Sequence, residues 1–168
     1  IKKVKARNLD EMISANSLMR LMPLENGETP TNKFIRFKND MSLWYKECED
    51  FGLTSQEIKA LEVHYLPVSG VPNTQEDMME CMMNPSVSNF TLSEANFARK
   101  VVAKKQTDKV GELYDMFIKK GLKSGNSKNI LKYVWETCVK PQLGYSFSRP
   151  HTCCYSINAL QEMNLAYK

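Results

Sequence analysis

The chain has 168 residues, 42% of them hydrophobic and 25% charged, and its formal net charge is +4. That length carries one domain with a real core, and the composition excludes an intrinsically disordered chain. The modest charge excludes a surface that binds polyanions indiscriminately but leaves room for a local cationic site.

Helical signals dominate from the start. Asn8 and Glu11 are spaced to cap a helix running to about Leu21, with Pro23 stopping it. Leu24 to Asn32 is a polar connection containing Asn26-Gly27 and Pro30. Phe34, Phe37, Met41, Trp44 and Cys48 recur at intervals of three and four, which predicts one or two helices ending near Gly52, with Asp40 as an internal cap. Thr54 and Glu57 have capping-box spacing, and Ile58, Leu61 and Tyr65 give the next helix its apolar stripe. His64, between Val63 and Tyr65, reads as structural.

Pro67 to Asn73 breaks the chain. Thr74 then caps a helix on which Met78, Met79, Met82 and Met83 serve as adaptable core filler, a docking surface being the alternative. Thr91 and Glu94 form a further capping box, opening a helix with Ala95, Ala98, Val101 and Val102 on one side. Thr107 caps a segment with Val110, Leu113, Tyr114 and Phe117 on one face, ended by Gly121. Ile130, Leu131, Val134, Trp135 and Cys138 make the cleanest stripe of all, terminated by Pro141. Pro150 opens a last helix carrying Cys153, Ile157, Leu160 and Tyr167. No sustained strand alternation appears, only a short extended piece near Tyr145 to Ser148, so the expected fold is all-α, an irregular multi-helix bundle. Residues 1–70 form its N-terminal helical part and residues 71–168 the part bearing the candidate site.

Cys48, Cys81, Cys138, Cys153 and Cys154 include an adjacent pair, form no Cys-x-x-Cys, and have only the well-separated His64 and His151 for company. Free thiols in a reducing cytoplasm fit better than a zinc site, and Cys138 reads as a small core residue. Glu47, Glu49 and Asp50 are the densest acidic cluster, and a solvated face fits them better than a metal site. No apolar run approaches the ~20 residues of a membrane span. The chain begins at Ile1 without a signal peptide, which reads as a fragment of a longer protein.

The chemistry concentrates on the helix after Thr91. Asn96, Lys100 and Lys104 stack at four-residue spacing with Arg99 beside them, opposite the apolar side. Such a ridge suits phosphate, because Arg grips it bidentately and Lys adds a mobile point charge. Periodicity alone favours a solvated basic face.

Three blocks in order shift that balance: Gln75-Glu76-Asp77-Met78-Met79, the basic helix, and Gly144-Tyr145-Ser146-Phe147-Ser148-Arg149-Pro150-His151, which continues to Tyr155. Together they resemble the fingers domain of the bacterial family C replicative DNA polymerases, the alpha subunit of DNA polymerase III. There Gln-Glu-Gln-x-Met precedes Arg-Lys/Arg-Ala-Met-Gly-Lys-Lys, followed by Tyr-Gly-Phe-Asn-Lys-x-His-x-x-x-Tyr. Asn16 to Pro23 is similar to the family's Ala-Leu-x-Arg-Pro-Gly-Pro, and Leu165 to Lys168 to its Ala-Tyr-Leu-Lys. Asp77 stands in place of the second Gln, Ser146 of a Gly and Arg149 of a Lys, which marks a divergent, bacterial or phage-encoded member.

The resemblance implies that the incoming dNTP and primer-template DNA are partners, as are the palm and thumb domains. It puts Arg99, Lys100, Lys104 and Lys105 at the triphosphate, although helical spacing sends Lys105 elsewhere. It puts Gln75, Glu76, Tyr145, Arg149 and His151 near the nucleotide or primer-template junction. The first turn of a helix is the competing reading for Gln75 and Glu76, and a backbone-bonded first-turn residue for His151. The resemblance further implies two Mg ions on palm carboxylates, which this chain lacks, so the chain is expected to hold no cofactor and not to polymerise alone. The implied setting is a bacterial or phage-infected cytoplasm. A helical DNA-binding or regulatory module using the same basic face is the alternative, and a scaffold using the Met and aromatic faces a third reading.

Overall fold

Side chains just outside the helices set most of their starts. The computed structural model describes residues 4–24, 26–104 and 106–166. Among these are nine α-helices: α1 (Leu9–Leu18), α2 (Pro30–Asn39), α3 (Ser42–Asp50), α4 (Ser55–Tyr65), α5 (Gln75–Met83), α6 (Leu92–Ala103), α7 (Val110–Lys123), α8 (Lys128–Val134) and α9 (Arg149–Ala166). Asn8 accepts from the Glu11 N–H at the start of α1. Full capping boxes open α4 (Thr54, Glu57), α5 (Thr74, Asp77) and α6 (Thr91, Glu94), each satisfying two backbone donors. Asp40 breaks the run from Phe34 to Cys48 into two helices, its Oδ1 accepting the Ser42 N–H and hydroxyl.

Two expectations fail at α7. Thr107 lies in a 3-10 turn and makes no side-chain cap, and the helix runs past Gly121 to Lys123. Gly121 is an interior residue on which Leu131 lies: a Cβ there would come within 2.2 Å of a Leu131 methyl. The chain turns at Gly125, with φ +84°, as the pair Gly125 and Asn126 leads one to expect. Beyond α8 the backbone widens into a π-helical turn, Trp135–Val139, and then tightens over Lys140–Gln142.

One core runs from Val4 to Val139 through both halves of the chain. In its middle Trp44 stacks on Tyr65 and Tyr65 lies tilted against Tyr133, ring centres 5.6 and 5.7 Å apart, tying α3, α4 and α8 together. Met78 and Met82 are fully buried, so the methionines of α5 fill the core. Cys138 is buried there too, while Glu47 turns inward to Lys33 at 2.7 Å and leaves Glu49 and Asp50 exposed. Each large apolar side chain taken from water stabilises the fold by roughly 1.5–3 kcal/mol.

α9 docks on α1 by a face the apolar residues do not mark. Thr152 and Ser156 are buried, whereas Ile157 and Leu160 are exposed. Ser17 donates to Thr152 Oγ1 at 3.3 Å and Asn16 Nδ2 to Ser156 Oγ at 2.9 Å. Both hydroxyls on α9 also donate to the carbonyl four residues back, so each is paired as donor and acceptor. Tyr167 lies outside the described residues.

Candidate functional site

The basic ridge is built from α6 outward. Ala95, Ala98, Val101 and Val102 are buried, with the helix packed on α5, and this turns the opposite side to solvent. Lys100 and Lys104 are exposed, while Arg99 is half-buried with its Nε 3.4 Å from Asn96 Oδ1. Among the described residues no carboxylate pairs with any of the three. Lys104 is the C-cap of α6, where the helix dipole also favours a cation. Lys105 lies outside the described residues. At the other end Glu94 accepts from Lys120 at 2.6 Å, and that bond holds its carboxyl below the usual range although partial burial opposes it.

Gln75, Glu76, Tyr145, Arg149 and His151 come together around the starts of α5 and α9. The Gln75 N–H donates to Phe147 O at 3.0 Å, its side chain donates to Ser146 O at 3.0 Å, and Thr74 and Phe147 form an isolated parallel bridge. Glu76 Oε2 accepts the Arg149 N–H at 2.6 Å, capping α9 from another helix. The Arg149 guanidinium bonds Asp77 Oδ1, while Oδ2 of the same carboxylate accepts the Asn73 and Thr74 N–H groups at 2.9 Å. Ser146 donates to Gln142. Gln75 and Glu76 thus occupy a first helical turn and also grip residues 146–149.

Beside this cluster lies a groove of about 320 Å³ lined by Asn16, Met19, Arg20, Tyr145, Phe147, His151, Thr152 and Tyr155. Its wall is a run of rings. Tyr145 stands edge-on to Phe147 at 5.3 Å, Phe147 stacks on His151 at 5.3 Å, and His151 meets Tyr155 edge-on at 4.8 Å. Arg20 places its guanidinium 5.7 Å from both the Tyr145 and Phe147 ring centres. His151 is exposed in the first turn of α9, its ring engaged with aromatic neighbours. The Arg149–Asp77 pair itself lines a second cavity, of about 220 Å³, together with Asp10, Ser14, Asn73 and Thr74. Arg99, Lys100 and Lys104 line neither space.

Sequence reasoning missed Arg20, Phe147 and Tyr155 as site residues. The signal lay in Asn16 to Pro23 and Gly144 to Tyr155, but more than a hundred residues separate Arg20 from the rings it covers. Among the described residues no three His, Cys, Asp or Glu side chains gather closely enough to hold a metal ion, and no helix is long and apolar enough to cross a membrane.

Fold and site together define an all-α domain with a basic helix face and an aromatic, arginine-topped groove. The chain belongs to the bacterial DNA polymerase III alpha subunit finger domain family, whose sequence model matches residues 1–125. It is 45% identical over 166 residues to a probable DNA polymerase YorL of Bacillus subtilis (strain 168), covering 99% of this chain and 13% of that protein. A DNA-directed DNA polymerase of Bacillus phage SPbeta gives the same identity and coverage. The DNA polymerase III subunit alpha of Aquifex aeolicus (strain VF5) is 28% identical over 155 residues, 92% of this chain and 12% of that one. The chain therefore spans about an eighth of the length of these relatives. No solved structure matches it significantly.

Proposed function

We propose that this chain is the finger domain of a DNA-directed DNA polymerase, where it binds the triphosphate of the incoming dNTP and positions its base against the template. The observation that carries the reading is the α6 ridge: Arg99, Lys100 and Lys104 lie outside the core with no carboxylate partner among the described residues. Cations held this way neutralise phosphate charge before the reaction and as pyrophosphate leaves. The groove supplies the complementary half of the task, since aromatic faces stack any base and Arg20 adds a cation beside them.

Primer-template DNA and the palm and thumb domains are the partners this role requires. Carboxylates for two catalytic magnesium ions belong, on this reading, to the palm. The isolated chain should then be inactive as a polymerase.

Arg99→Ala in the complete polymerase tests the ridge. One charge-assisted hydrogen bond contributes on the order of 1.5–3 kcal/mol, so nucleotide kcat/KM should fall about ten- to a hundredfold. Unchanged KM and kcat would dispose of the idea.

A further inference from the structure

We propose that Asp77 and Glu76, in the first turn of α5, and Arg149, at the start of α9, are positioning residues that fix the aromatic wall of the groove. The inference rests on the reading that the groove receives a nucleotide base. Asp77 is only 4% exposed, and three donors converge on its carboxylate: the Asn73 and Thr74 N–H groups on Oδ2 and the Arg149 guanidinium on Oδ1. A carboxylate buried to that degree needs its cation, so the arginine is held to one place. Glu76 meanwhile fixes the Arg149 backbone at the start of α9.

Everything on the wall depends on where that start lies. Phe147 is two residues before Arg149 and is tied through its carbonyl to the Gln75 N–H. His151 is two residues after it, in the first turn of α9, and its ring stacks on that of Phe147, which lies in the extended segment just before the helix, at 5.3 Å and 28°. Moving the start of α9 by a fraction of a turn would part those rings. Arg149 thereby acts through Phe147 and His151, and its charge is directed to Asp77 rather than to a ligand.

Four variants of the complete polymerase separate the possibilities: Asp77→Asn, Arg149→Gln, the two combined, and His151→Ala. Asn at position 77 keeps an oxygen for the Asn73 and Thr74 donors and removes the charge. A positioning pair predicts that D77N and R149Q each raise nucleotide KM about tenfold with kcat held within about twofold, and that the double variant is no worse than either. Arg149→Lys should recover most of the loss. If Arg149 instead grips phosphate, R149Q raises KM while D77N leaves it unchanged or lowers it, and the proposal is overturned. A raised KM in H151A with none in D77N or R149Q leaves the groove standing and removes the clasp; an unaltered KM in H151A removes the groove itself. Should D77N fail to fold, Glu76→Ala decides, since Glu76 holds the Arg149 N–H: a positioning clasp predicts a raised KM and a phosphate grip an unchanged one.

Discussion

Asp77 and Arg149 stand at two positions where this chain departs from the polymerase pattern, which has Gln and Lys there, and the two departures meet in one ion pair. A third, Ser146 in place of Gly, donates to the buried Gln142. None of these contacts was legible beforehand: Asp77 and Arg149 lie 72 residues apart, and one sequence shows no pairing at that range. Local geometry at single residues was more accessible, as Gly70 illustrates within the predicted break at Pro67 to Asn73. It adopts φ +72°, and a Cβ there would come within 2.5 Å of the Phe37 ring and 3.0 Å of Trp44. Gly70→Ala therefore combines left-handed strain with overpacking beside a buried Trp, and should cost about 2–4 kcal/mol. Urea unfolding monitored by tryptophan fluorescence measures it; a loss below about 0.5 kcal/mol would contradict the packing described.

Helices with a side-chain cap and a one-sided apolar stripe could be read directly, because both signals lie within a turn or two of each other. Thr107 misled, since a 3-10 turn intervenes before α7, and α9 misled because its docking face is Thr152 and Ser156 rather than its apolar residues. The link between α4 and α5 depends on a group whose pairing no periodicity reveals. His64 Nε2 lies 2.9 Å from Asn84 Nδ2, and Asn84 caps α5 and receives the Val87 and Asn89 N–H groups of the turn toward α6. Only a neutral ring accepts that amide proton. Burial pushes the His64 pKa down, against the opposing fields of Glu80 and Asp77. With the folded value below the unfolded one, the unfolded chain takes up the proton first. Stability is then fully present above the unfolded value of about 6.5 and is lost as pH falls through the folded value. The urea midpoint should drop between pH 7.5 and 5, and His64→Gln, which can still accept from Asn84, should flatten that part of the profile. Equal slopes in the two proteins would exclude His64 as the cause.

At the scale of the molecule, the all-α architecture followed from recurrent helical spacing and the lack of strand alternation, whereas the groove is made by α1 meeting α9 across more than a hundred residues. The ridge and the groove also differ in how much of a ligand site they complete. Lys100 and Lys104 are exposed, Arg99 is half-buried, and none of the three lines the groove or the cavity beside it, so on the proposed function a triphosphate is enclosed only with a surface from elsewhere in the polymerase. Two or three charge-assisted contacts at 1.5–3 kcal/mol each, set against roughly 4–15 kcal/mol for lost translational and rotational freedom, leave millimolar affinity at best. Exposed cations are moreover screened over about 10 Å at 0.1 M salt. Titration of this chain alone with dNTP should therefore give weak binding that fades between 50 and 300 mM salt, roughly the range in which that screening length halves. Duplex DNA should bind no more tightly, because three neighbouring cations release few counterions and the salt slope scales with the phosphates neutralised. A submicromolar, salt-insensitive dNTP complex would require a complete site within these residues, and tight duplex binding with a steep salt slope would point instead to a DNA-binding module built on the same helix.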